Sequence, residues 1–186
     1  MACKVLAEYK AAYSFPFSAQ APPVSIWKAP PMGFFKGNTD AVASDDERNS
    51  CIGVVIHSYK GEILAAACKV LPVSFFAEIS EAFAVLEGVL LVVKMEVSHV
   101  IIESDALSII QAINEGVFGG KLGHIVQDIW EVSFVFSWCS FLHLKREGNR
   151  VAHELAKVAR ISDLSQVWER SVPSPVEHIV IEELSL

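Results

Sequence analysis

Residues 99–113, "HVIIESDALSIIQAI", change their hydrophobic period in mid-run, and that change limits the folds open to the chain. Val100, Ile101 and Ile102 form the short continuous apolar run of a buried strand. From Leu107 the apolar positions become Leu107, Ile110 and Ile113, the spacing of one helix face. A buried strand that feeds straight into a helix is half of a βαβ crossover, which requires a sheet with helices on its faces. Glu103, Ser104 and Asp105 sit at the junction. Capping is the local explanation, since Ser104 is a good N-cap and acids favour the positive end of a helix dipole. The alternative is chemical: an acid just past the C-terminal end of a central strand lies where α/β folds place their sites.

The rest of the chain extends this pattern. "FFKGNTDAVA", residues 34–43, alternates as a strand with an unusually polar middle. "CIGVVIHSYKGEILAAACKVL" reads as a hairpin, with strands over 51–58 and 62–71 around a turn at Tyr59-Lys60-Gly61. Residues 76–93 give the clearest helix, with apolar positions at Ala82, Val85, Leu86, Val89, Val92 and Val93. Beyond the opening strand come helices over 106–114 and roughly 122–132, joined by the glycine-bearing "EGVFGGKLG". "SFVFSWCSFLHL" reads as a strand, "KREGN" as a loop and "RVAHELAKVAR" as a final helix. The order β-β-β-α-β-α-α-β-α predicts a mixed sheet. Pro16, Pro22, Pro23, Pro30 and Pro31 mark residues 1–31 as a poorly structured lead-in. The domain is expected over 32–161, with 162–186 as a C-terminal tail ending in the amphipathic "VEHIVIEELSL".

Bulk properties narrow the setting. A chain of 186 residues with 52% hydrophobic content suits one domain with extensions. Mean hydropathy of +0.40 raises the membrane question, but the run Val132 to Leu142 is too short to span. No basic region leads into a clean apolar stretch at the N-terminus, so secretion is not expected. Cys3, Cys51, Cys68 and Cys139 are scattered, as thiols of an intracellular protein would be. The net charge of −7 argues against holding nucleic acid by charge alone and suits a site that collects divalent cations.

Three acids do not fit their elements. Glu81 shares a helical stripe with Val85, Val89 and Val92, and an unpaired buried charge is costly. The rim of that stripe, where Glu81 would reach water, is the ordinary alternative, and Glu78 one turn earlier is a rival for any role. Asp40 lies within a strand pattern rather than a turn, unless the strand ends there and Asp40 opens the loop. Asp105 is the third. Carboxylates from a strand, a helix and a strand end can converge over one point of a sheet, and such oxygen clusters suit Mg²⁺ or Mn²⁺, not zinc.

Taken in order, "WKAPPMGFFKGNTDA", "IGVVIHSYKGEILAAA", "EAFAVLEGVLLV", "VIIESDALSIIQAI" and "FLHLKREGNRVAHELAKVA" resemble the ribonuclease H type-1 domain, in its plant form associated with non-LTR retrotransposons. The resemblance covers roughly residues 27–160. It implies an α/β fold with a five-stranded mixed sheet, three antiparallel strands followed by two parallel ones, and helices on the faces. It also implies hydrolysis of the RNA strand of RNA–DNA hybrids by a two-metal mechanism, in a monomer using two Mg²⁺ or Mn²⁺ ions. Asp40, Glu81 and Asp105 then stand as metal ligands and catalytic residues, with Glu103 a solvated neighbour and Ser104 capping the helix. His143 matches the family histidine of the loop before the last helix, suited to proton transfer near neutral pH. Asn149 matches the residue that opens that helix. Asn38, Asn149, Lys36, Lys145, Arg146 and Arg150 are the candidates for nucleic-acid contact, and the four basic residues could equally be surface charges.

The chain departs from the family at three places. The fourth acid is replaced by His153, as it often is in the plant form, which makes His153 a candidate ligand or else a helix-surface histidine. Asp45, Asp46 and Glu47 add negative charge after Asp40. The segment 115–124 offers Lys121 as its one fixed cation, so a strongly basic protrusion is missing. The alternative that follows is a retrotransposon-derived domain that keeps the fold with weak or no catalysis and serves to bind nucleic acid or protein.

Overall fold

A computed structural model of the chain describes residues 26–43 and 49–184. Its strands are β1 (Phe35–Val42), β2 (Cys51–His57), β3 (Ile63–Val70), β4 (His99–Ser104), β5 (Trp138–His143) and β6 (Gln166–Glu169). The helices are α1 (Ala77–Val93), α2 (Leu107–Glu115), α3 (Gly123–Ser133), α4 (Arg150–Ser162) and α5 (Ser174–Leu184). One mixed sheet runs in the order β5-β4-β1-β2-β3-β6. β1, β2 and β3 are antiparallel, β4 lies parallel to β1 and β5 parallel to β4.

Strand alternation divides the interior into two layers. Val54 and Ile56 of β2 face α1, where Ala82, Val85, Val89 and Val92 form the buried stripe, with α2 and α3 completing that layer. Cys51 and Val55 face the opposite way, toward Val151, Leu155 and Ala159 of α4. Gly53 lies on the same side, and a Cβ there would stand 2.1 Å from the Ala152 carbonyl oxygen. Its bare backbone, with Ala152 and Ala156 opposite, is what lets α4 lie directly on the sheet.

The sheet has six strands rather than the expected five. β6 pairs antiparallel with β3, from Ala65↔Glu169 to Cys68↔Gln166. The added strand is four residues long and mostly exposed, and its two apolar residues, Val167 and Trp168, are adjacent, so it carries no alternating apolar period for a sequence reading to detect. The segment expected as a tail is therefore part of the fold. Val172, Val176, Ile179 and Val180, on and just ahead of α5, pack into the α4 layer. At the other end residues 1–25 lie outside the described residues, but Trp27, within the expected lead-in, is buried. The strand expected from Ser133 begins only at Trp138, because α3 runs on through Ser133. Among the described residues no helix is long and apolar enough to cross a membrane. Cys51, Cys68 and Cys139 are buried thiols.

Candidate metal centre

β4 stops at Ser104, and its register pairs Thr39 with Ser104, so Asp40 and Asp105 leave the ladder level with each other. Past the end of β4 the two layers meet. Glu81 reaches this gap from the first turns of α1, and His153 reaches it from α4. Asp40, Glu81 and Asp105 each offer an oxygen within 4.8 Å of the others. Glu78, the rival on α1, is exposed and stands outside the group. Asp40 is on the strand rather than opening the loop, and is almost fully buried. Asp45, Asp46 and Glu47 lie outside the described residues.

The electrostatics of the group are those of a site short of positive charge. Burial, then the neighbouring Asp40 and Asp105 carboxylates, push Glu81 up to about 9. Asp105 is raised by burial and by Asp40. Arg146 opposes both shifts but does not cancel them. Oδ1 of Asp40 and Oε2 of Glu81 are buried without a hydrogen-bond partner. Clustered acids with unused lone pairs form a hard-oxygen donor set that fits Mg²⁺ or Mn²⁺.

The surrounding residues hold this set in shape. Asn149, buried at the start of α4, donates through Nδ2 to the Thr39 carbonyl (2.9 Å) and to Asp105 Oδ1 (3.3 Å). It thereby ties α4 to β1 and Asp105 at once. His153 is no surface histidine: its Nδ1 lies 2.6 Å from Asp40 Oδ2. Arg146 stands over the mouth, 3.8 Å from Asp105 Oδ2. Ser104 is not the N-cap of α2, which starts after Ala106. Its hydroxyl instead accepts the Ala106 N–H and fixes the turn that carries Asp105.

The other expected site residues fall into two groups. His143, Lys145 and Arg150 stay near the centre without joining it. His143 ends β5 opposite Ser104, Lys145 is exposed just beyond, and Arg150 is paired with Glu182 of α5 at 2.8 Å. Lys36 and Asn38 are buried, contrary to the expectation that both reach a nucleic acid. Lys36 Nζ donates to the Lys28 carbonyl and pairs with Glu103 at 2.7 Å. Asn38 accepts from the Trp27 indole and donates to Glu103 Oε2. Glu103 is accordingly buried and paired, where a solvated neighbour was expected. Its side chain lies across the β1–β4 ladder from Asn38, a pairing between distant segments that local pattern does not carry.

This arrangement of sheet, helices and acids defines an RNase H-like domain. Ribonuclease H1 from the halophilic archaeon Halobacterium salinarum NRC-1 superposes with a TM-score of 0.64 at 16% identity, covering 70% of this chain and 99% of its own. LC11-RNase H1, solved in complex with an RNA/DNA hybrid, gives 0.62 at 20% identity, covering 69% and 98%. The foamy viral protease-reverse transcriptase, also solved with an RNA/DNA hybrid, gives 0.58 at 17% identity, covering 78% of this chain and 21% of that one. At these identities the likeness is one of fold. No curated protein matches the sequence. The chain belongs to the reverse transcriptase-like family, whose model matches residues 38–159.

Proposed function

We propose that this domain hydrolyses the RNA strand of RNA–DNA hybrids, using Mg²⁺ or Mn²⁺ held by Asp40, Glu81 and Asp105. The observation that carries the reading is the convergence of three carboxylates, from a strand, a helix and a strand end, within 4.8 Å. A bound divalent ion supplies Lewis-acid stabilisation of a phosphoryl oxygen and acidifies water. The protein's own part is to place and balance charge. Asp40 is oriented by His153, and Asp105 by Asn149. His143, at the end of β5 opposite Ser104, is the side chain placed to accept or deliver a proton. Lys145 and Arg146 offer cations on the same rim for phosphate oxygens. Choice of RNA over DNA would come from contacts to 2′-hydroxyls. Support comes also from the fold neighbours solved with RNA/DNA hybrids.

A second reading, a binding domain with little hydrolysis, is favoured by His153, an imidazole where a fourth acid would stand, and by the acidic Asp45, Asp46 and Glu47 and the lack of a strongly basic protrusion in the sequence. The two separate in one assay. Purified protein is given an end-labelled RNA–DNA hybrid in Mg²⁺ and, separately, in Mn²⁺, beside Asp105→Asn. The expected result is cleavage of the RNA strand, reduced at least roughly a hundredfold by the substitution. Absence of cleavage by folded protein with either ion would select the binding domain.

A further inference from the structure

A helix leaves its first N–H groups without intrahelical acceptors, and asparagine is among the best residues to supply one. Asn149 holds the N-cap position of α4, where its backbone carbonyl accepts the first intrahelical bond, from the His153 N–H at 3.1 Å. Its side chain nevertheless makes no capping bond. The amide nitrogen serves the Thr39 carbonyl and Asp105 Oδ1, and among the described residues the buried Asn149 Oδ1 has no hydrogen-bond partner. The backbone leading into it is fixed. Arg146–Gly148 is a short 3₁₀ turn, and a Cβ at Gly148 would stand 2.6 Å from Leu144 Cδ1 and 3.3 Å from the Trp27 nitrogen. What Asn149 can still choose is which partners its side chain serves.

The acceptor that α4 needs comes from beyond residue 159, where the match to the family model ends. Glu183, 6% exposed near the end of α5, accepts the N–H groups of Arg150 and Val151. Beside it Glu182 pairs with the Arg150 guanidinium at 2.8 Å. Val176, Ile179 and Val180 bury the same helix in the α4 layer and so hold both acids in place. We propose that Glu183 is a positioning residue for the metal centre: by capping α4 in place of Asn149, it leaves the Asn149 amide to hold Asp105 and β1. Without that carboxylate, the unused Asn149 Oδ1 is an acceptor already at the N-cap, and turning it onto the helix withdraws Nδ2 from Asp105. The C-terminal helix thereby becomes a working part of the centre. The proposal rests on the reading of the three acids as a metal centre.

The test is a double-variant cycle read by metal affinity rather than turnover. Mn²⁺ is titrated into the full chain, and the free ion is followed by its electron paramagnetic resonance signal. Glu183→Ala should weaken Mn²⁺ binding roughly tenfold, as the loss of a group that orients a ligand does. Glu183→Gln keeps an acceptor and should bind as the native protein does. Asn149→Ala should weaken binding by a similar factor, and the double variant by no more than Asn149→Ala alone, because Glu183 acts through Asn149. Val176→Ala, about two turns away on α5, loosens the same helix without touching the cap and should leave the affinity unchanged. Native affinity in Glu183→Ala, an equal loss in Glu183→Gln or Val176→Ala, or losses that multiply in the double variant would overturn the role of Glu183. No Mn²⁺ on folded native protein would instead overturn the metal centre itself.

Discussion

A lysine ammonium with its stem among aromatic and amide groups is held by its partners, and Lys36 has two: the Glu103 carboxylate and the Lys28 carbonyl. Both members of the ion pair are almost fully buried, so removing one strands the other's charge. Lys36→Met should therefore cost roughly 3–5 kcal/mol, read as a fall in the urea midpoint, whereas Lys36→Met with Glu103→Leu should recover most of that loss. If the single and double variants are equally destabilised, the pair is not what holds this region. The same residues mark how far sequence reasoning reaches. Asp40, Glu81 and Asp105 were legible because each is a charge where its own element calls for something else. Lys36 and Glu103 were not, because their burial depends on the parallel register of β1 against β4, which brings together residues more than sixty positions apart. Arg146 was legible as a cation but not as part of the centre, since its place is set by a turn packed on Leu144 and Trp27.

At the scale of elements, α4 is the piece that joins the layers. Its N-terminal turns carry Asn149 and His153 into the centre, and its side rests on β2 through Gly53. Its first turn is also met from outside, where Glu183 of α5 accepts the backbone N–H groups of Arg150 and Val151. An acid at a helix N-terminus is stabilising, yet here burial outweighs it and pushes Glu183 up to about 7. The folded protein thus holds this proton more tightly than the unfolded chain, whose value is near 4.5. The stability Glu183 confers is fully present below that lower value and is lost as pH rises through about 7. Glu183→Gln should keep the acceptor and remove this slope, so melts of the two proteins from pH 4.5 to 8 should diverge on the alkaline side, the variant being the more stable. Parallel curves would mean that Glu183 does not titrate in this window. The helix pattern of α5 was visible in "VEHIVIEELSL", but its docking was not. Nothing local tells an amphipathic helix which surface it will cover.

For the whole molecule, β6 and α5 complete the second layer of the core. Val172, Val176, Ile179 and Val180 are buried there, and each such side chain contributes roughly 1.5–3 kcal/mol. A chain ending at residue 162 should lose about 6 kcal/mol or more, which for a domain of this size lowers Tm by roughly 12 °C or more in a thermal melt. An unchanged Tm would show the C-terminal elements to be dispensable. A mixed sheet was readable from the order of the elements, and the resemblance added its division into three antiparallel and two parallel strands. The sixth strand escaped because an edge strand is selected by the hydrogen-bonding groups of β3 rather than by its own side chains. The buried contact between Trp27 and His57, 4.6 Å between ring centroids, has an optical consequence. A neutral imidazole leaves indole emission bright, and a protonated one quenches it. Burial holds His57 down to about 4, well under its ordinary 6.5, so the Trp27 signal stays lit at mildly acidic pH while this face of β1 is closed. Dimming near pH 6, absent from the Trp27→Phe protein, reports its opening: the chain carries a fluorescent gauge bonded to Asn38, two residues from Asp40 on β1.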